Sequence, residues 1–135
     1  MGECARCNAF TDNETDQQYQ YCDACLDEFA TIEHSGVIIE QETSGGDYHI
    51  IVTSADASLD GGQEASQVDA LARGKYIADE CNLRGLFKYD HSGSTWVLDE
   101  YLQAHPSIRQ DVHERLRRVP EESSGGLMDR IREFL

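Results

Sequence analysis

Residues 4–25 read CARCNAFTDNETDQQYQYCDAC, and the spacing of their cysteines decides how the N-terminal part of the chain folds. Cys4, Cys7, Cys22 and Cys25 form C-x2-C-x14-C-x2-C, two knuckles that together offer four thiolates. Four thiolates fill the tetrahedral shell of a structural zinc ion and leave no open position for water or substrate. The expected cofactor is therefore Zn2+, in a folding role. Two disulfides would require an oxidising compartment. The chain opens Met1-Gly2-Glu3-Cys4, without the charged start, apolar stretch and cleavage site of a secretory signal. An iron–sulfur cluster also takes four thiolates, although the paired-knuckle symmetry is more usual for zinc. A redox C-x-x-C requires βαβ surroundings that residues 1–35 do not supply. Plain burial of the cysteines fails because so polar a segment has no core of its own.

Working outward, the charge is the next informative feature. The chain of 135 residues carries 26 acids against 11 bases, a formal net charge of -15. Lys75 and Lys88 are its two lysines, and the other bases are arginines. Residues 1–60 hold thirteen acids and one base, Arg6, whereas residues 61–135 hold thirteen acids and ten bases. A bare phosphate backbone is thus a poor partner for the N-terminal module. Abundant carboxylates with scarce lysine resemble the composition of proteins from salt-loving archaea, where molar salt screens the self-repulsion. No run of eighteen apolar residues exists to span a membrane, and a cytoplasmic location is expected.

The segment Thr11 to Gln20 is polar and suits a short hairpin between the knuckles. The second knuckle opens Asp23-Ala24-Cys25-Leu26-Asp27-Glu28-Phe29-Ala30, a helical stretch with acids in its first turn and Leu26, Phe29 and Ala30 on one side. Knuckle, hairpin and a second knuckle at a helix start resemble the treble-clef zinc finger. The resemblance covers about 30 residues and implies the four ligands, not an activity. Relatives that grip DNA place bases on that helix; here it carries Asp23, Asp27, Glu28 and Glu33.

The rest predicts an α+β fold, a four-cysteine zinc finger followed by a ββαββα two-layer domain with helices on one face of a mainly antiparallel sheet. Three parts are expected: residues 1–35, the zinc module; residues 36–119, the α+β domain; and residues 120–135, a linker with a short amphipathic helix. Residues 37–42 and 48–53 are β-rich runs joined by Ser44-Gly45-Gly46-Asp47. A loop then leads to a helix over about 62–82, with Asp60 and Gln63 as a capping box. Its apolar stripe is Ala70, Leu71, Gly74, Ile77, Ala78 and Cys81, with Gly74 allowing close approach to a sheet and Cys81 packed. Residues 86–89 and 95–98 form a second hairpin around Asp90-His91-Ser92-Gly93. Asp99 starts a short helix that Pro106 interrupts, and Ser107 with Gln110 caps the next, which Pro120 stops.

Candidate sites beyond the cysteines are few. Arg109, His113 and Arg117 recur at i, i+4 and i+8, with Arg115 and Arg118 nearby, a positive patch fit for a nucleic acid or an acidic protein surface. Charge complementing a helix C-terminus explains the same residues without a ligand. Asp56-Ala57-Ser58-Leu59-Asp60-Gly61 resembles the start of a calcium loop, but Gln67 stands where a bidentate Glu belongs, and a helix-capping turn is the better reading. His34, His49, His91, His105 and His113 are scattered. Asp90-His91 resembles half of an HNH-type nuclease site without the rest. No G-x-S-x-G, phosphate loop or H-E-x-x-H is present. The terminal stripe Leu127, Met128, Ile131 and Leu135 must bury itself against its own domain, a second copy or a partner. The expected function is a non-enzymatic zinc-binding regulatory or adaptor protein working through protein contacts. A nucleic-acid-binding regulator using Arg109–Arg118 is the alternative, and a metal-dependent nuclease trails both.

Overall fold

The structure, a computed structural model, describes residues 2–13, 20–41, 46–55, 57–89, 94–122 and 126–135. It is α+β, with an N-terminal cysteine cluster leading into a mixed five-stranded sheet and helices.

The cysteines orient the first helix. Helix α1 (Asp23–His34) has Cys22 at its N-cap and Cys25 facing Cys4. Residues at i+4 and i+7 from Cys25 share its face, so Phe29 and Ile32 are buried with it, whereas Leu26 is 42% exposed and Ala30 is exposed. The expected apolar side of Leu26, Phe29 and Ala30 is thereby corrected: the thiol position, not hydrophobicity alone, sets the helix rotation.

Strands β3 (Val37–Gln41) and β4 (Tyr48–Ser54) pair antiparallel as expected, from Val37–Val52 to Gln41–Tyr48. Of the turn foreseen at Ser44-Gly45-Gly46-Asp47, residues 44 and 45 lie outside the described residues, as does the whole of that at 90–93. The segment after β4 is a strand, not a loop. Strand β5 (Ala57–Glu64) pairs along β4, with a register shift at Ile50/Ile51 where Gly62 takes φ +120 and the Asp60 carboxylate accepts its N–H at 2.9 Å. The following helix α2 (Gln67–Cys81) consequently starts later than expected. Its cap is Ser66, whose hydroxyl accepts the Asp69 N–H, and Asp60 and Gln63 belong to the strand.

Strand β6 (Gly85–Tyr89) pairs parallel to β3, and β7 (Ser94–Val97) closes the edge antiparallel to β6, giving the order β5-β4-β3-β6-β7. The ββαββα two-layer expectation is corrected on three points: the sheet has a third strand before α2, its centre is parallel, and helices cover both faces. Alternation along the strands separates two cores. Val37, Ile39, Ile50, Val52 and Phe87 face α2, whereas Leu86 and Val97 meet Phe29 and Ile32 of α1. A Cβ on Gly74 would lie 2.3 Å from Ile39 Cδ1, so the foreseen close approach of α2 to the sheet is real.

Helix α3 (Leu98–Ala104) adds Leu98, Tyr101 and Leu102 to the α2-side core. Pro106 opens helix α4 (Pro106–Leu116) at its first position, where a missing N–H is harmless. His105 is the N-cap, and the Ser107–Gln110 box does not form the start. Pro120 does not end α4; it sits in the short helix α5 (Val119–Glu122). Helix α6 (Leu127–Phe134) buries Met128 and Ile131 in the same core and lies beside β5.

Candidate metal centre

The two knuckles are built differently. Strands β1 (Gly2–Glu3) and β2 (Phe10–Thr11) pair antiparallel, so the described hairpin encloses the first knuckle; of the hairpin expected between the knuckles over Thr11 to Gln20, residues 14–19 lie outside the described residues. In its turn, the Cys4 N–H donates to Ala9 O at 2.7 Å and the Asn8 N–H donates to Cys4 O at 2.9 Å, with Asn8 at φ 64. The second knuckle is the helix start itself, where the Leu26 N–H donates to Cys22 O. The Ala5 N–H, donating to Gln20 O at 2.8 Å, ties the two together.

All four sulfurs lie within 4.8 Å of one another. Cys4 and Cys25 are 3.7 Å apart, and Cys7 and Cys22 are 3.6 Å apart. A tetrahedron with metal–sulfur bonds of about 2.3 Å has edges of about 3.8 Å, so the thiols stand at coordination distance. All are free cysteines. The cluster can coordinate a metal ion, and a four-sulfur tetrahedral set suits Zn2+. Cys4 and Cys25 are buried, whereas Cys7 is exposed and Cys22 intermediate, so the site has a protein side and a water side.

The two buried thiols are shifted in opposite directions. Burial works against a Cys4 thiolate, but N–H groups of Cys22, Cys7 and Arg6 outweigh it and bring the thiol down to about 6. Burial pushes Cys25 up to about 12, reinforced by the neighbouring Cys22 and Cys4 sulfurs. One negative charge is easily placed and the next resisted, which a divalent cation reverses.

Around the cysteines runs an ionic clasp that the sequence did not disclose. Arg6 sits within the first knuckle, yet it donates to Glu28 of α1 at 2.5 Å and, through Nε and Nη2, to both carboxylate oxygens of Glu100 on α3 at 2.9 and 2.6 Å. Its guanidinium lies 5.4 Å over the Phe29 ring, adding a cation–π contact. Glu28 also pairs with Arg84. Arg6 first, then Arg84, holds the Glu28 carboxyl down at about 2, and Arg6 lowers Glu100 as well. The other half of the junction is Tyr21, packed edge-on against Phe29 at 5.1 Å. Its hydroxyl donates to Thr95 O at 3.2 Å and accepts the Thr95 N–H at 2.9 Å. It thereby closes part of the free edge of β7, where open amides invite pairing with other chains. Ala5, Arg6, Tyr21, Thr95, Trp96 and Glu100 line the cleft at this junction, and its charged walls are engaged in these bonds.

The remaining expected site residues are dispersed. Arg109, His113, Arg117 and Arg118 are exposed on or just after α4. Arg115 turns inward, its Nε donating to Asp69 of α2 at 2.6 Å, and so departs from the exposed patch. On α6, Met128 and Ile131 are 8% and 0% exposed within their own core, and Leu135 is 46% exposed; the Leu127 side chain lies outside the described residues. The helix therefore covers its own domain instead of offering Met128 and Ile131 to a partner. Of the calcium-like segment, Ser58 and Asp60 lie in the extended β5, and Asp56 is outside the described residues. His91 is likewise outside them. His105 packs on Tyr101 and Trp96, its Nδ1 2.8 Å from Tyr101 O, which gives it a packing role. Among the described residues, the four cysteines are the one group of three or more potential ligands within coordination distance.

No helix among the described residues is long and apolar enough to cross a membrane. The chain matches no family model, no curated protein and no solved structure.

Proposed function

We propose that this is a non-enzymatic zinc-binding adaptor or regulatory protein, acting through protein contacts in the cytoplasm of a salt-loving archaeon. The observation that carries the reading is the closed set of four thiols at coordination distance, with its buried half fused to the sheet through α1. A four-sulfur shell offers a substrate no open position, so its contribution is to hold α1 and the first knuckle as one rigid surface. The acidic composition, with 26 acids against 11 bases, supports the high-salt habitat.

A second reading is favoured by Arg109, Arg117 and Arg118, which stand exposed on and just after α4: a regulator that contacts nucleic acid through this helix. Two measurements address these readings. Metal analysis after mild purification is expected to give about one zinc per chain, and a value well below that removes the zinc claim. Retardation of duplex DNA or RNA at native salt, abolished in Arg117→Ala, would replace the protein-contact reading with the nucleic-acid one. The protein-contact reading expects no retardation.

A further inference from the structure

The bases of this chain are not equally free. Up to residue 88, each is engaged within the fold: Arg6 with Glu28 and Glu100, Arg73 with Glu64, Lys75 with Asp79 and Asp99, Arg84 with Glu28, Lys88 with Glu33. Arg115 and Arg132 are paired as well. Arg109, Arg117, Arg118 and Arg130 form no ion pair with a described residue, and all four are exposed. Arg109 and His113 stand four residues apart on α4, and Arg117, its C-cap with helical backbone angles, continues the spacing, so the side chains repeat about every 6 Å.

A matching surface lies on the opposite side of the molecule. Helix α4 packs on α2, which covers the face of the sheet carrying Phe87; α1 covers the face carrying Leu86. The outer side of α1 exposes Asp23 and Asp27, again four residues apart, beside Leu26 at 42% exposure and Ala30. Metal at Cys22 and Cys25 would fix the first turn of that helix. Because α1 and the α2–α4 layer lie over opposite faces of the sheet, one chain cannot bring its own two surfaces together.

We propose that a second copy of this chain docks the outer face of its α1, through Asp23, Leu26 and Asp27, onto the Arg109–His113–Arg117 stripe of α4. The inference deepens the protein-contact reading and rests on it. A polynucleotide fits the stripe less well: Glu114, three residues before Arg117, borders it and repels a backbone that is negative along its whole length. Two carboxylates on a partner helix can be placed clear of it, with Leu26 buried between. Exposed ion pairs are individually weak, so the association is modest, grows with concentration and weakens as salt is added. Since the contact joins two different surfaces, it repeats as an open array or closes into a ring.

Sedimentation velocity on the zinc-loaded protein, over a concentration series at several KCl levels, tests this. The wild type is expected to sediment faster as concentration rises and slower as salt is added. Arg109→Glu/Arg117→Glu and Asp23→Arg/Asp27→Arg are each expected to stay monomeric, and an equimolar mixture of the two to associate again through the exchanged charges. Asp23 adjoins Cys22, so Asp27→Arg alone and Leu26→Gln, with wild-type zinc content and circular dichroism, report the same contact if the double variant misfolds. A wild type that is monomeric throughout, charge variants that associate like it, or a mixture that fails to recover overturns the proposal. A monomeric wild type without nucleic-acid retardation leaves the protein-contact reading standing for a different partner. Retardation that the arginine variant abolishes overturns both.

Discussion

Arg6 joins three pieces of chain that are far apart in sequence: the first knuckle, α1 through Glu28, and α3 through Glu100. It holds Cys4 and Cys7 against Cys22 and Cys25 by bonds that need no metal. Residues that orient metal ligands typically account for 10–100-fold in affinity, so Arg6→Ala is expected to lower zinc affinity about that much in a chelator competition, and Arg6→Lys to recover part of it. Equal affinities would reduce Arg6 to a surface ion pair. Glu28 gives a pH test of the same clasp. Its carboxyl is held near 2, below its ordinary 4.5, by Arg6 and then Arg84. A depressed carboxylate stabilises the fold fully above its unfolded value and loses that contribution as pH falls through the folded one. The gap in melting temperature between wild type and Glu28→Gln is therefore expected to be widest above about pH 5 and to close towards pH 2; a gap independent of pH would contradict the pairing. Arg6 stood out in the sequence as the one base among 60 residues, but Glu100, 94 positions away, could not be paired with it there.

At the scale of elements, the apolar stripe of α2 was legible because a helix between a sheet and other helices must show a 3.6-residue period. Gly74 reads the same way in both views. Gly74→Ala drives a methyl into Ile39, and overpacking of this kind is expected to cost about 1–3 kcal/mol in denaturant unfolding. Strand β5 was missed for the opposite reason. As an edge strand built from Ala57, Ser58, Asp60, Gly61, Gly62 and Gln63, it has almost no apolar alternation, and its existence depends on the ladder to β4. Helix α6 was legible as amphipathic but not as to what covers it. Ile131→Ala is expected to destabilise by about 2–5 kcal/mol, and Leu135→Ala by no more than about 0.5 kcal/mol, because Ile131 is fully buried and Leu135 is not. Similar small losses at both positions would remove α6 from the core.

Over the whole molecule, the cysteine-bearing N-terminal segment is the cover of one sheet face and part of one sheet edge. Phe29 and Ile32 lie over Leu86 and Val97, and full burial of such side chains stabilises by about 1.5–3 kcal/mol each. With zinc bound as proposed, its chelation is expected to expose that face, read as increased binding of a hydrophobic dye together with a lower melting temperature. Tyr21→Phe separates the edge from the metal: zinc stoichiometry should hold while hydrogen exchange at the Thr95 amide accelerates, and unchanged exchange would show that the hydroxyl does not guard the strand. The sequence by itself determined the four-cysteine set, the acidic balance and the α+β class. Each of these is local or compositional: two C-x2-C knuckles, a count of carboxylates, and helix and strand periods within single segments. Only the tertiary structure decided that the sheet has a parallel centre and two covered faces, that α1 turns Phe29 inward and Leu26 outward, and that Arg6 and Tyr21 lock the knuckles to α3 and β7. Those outcomes depend on contacts between residues tens of positions apart, whose free energy is set by burial and geometry that no local pattern encodes.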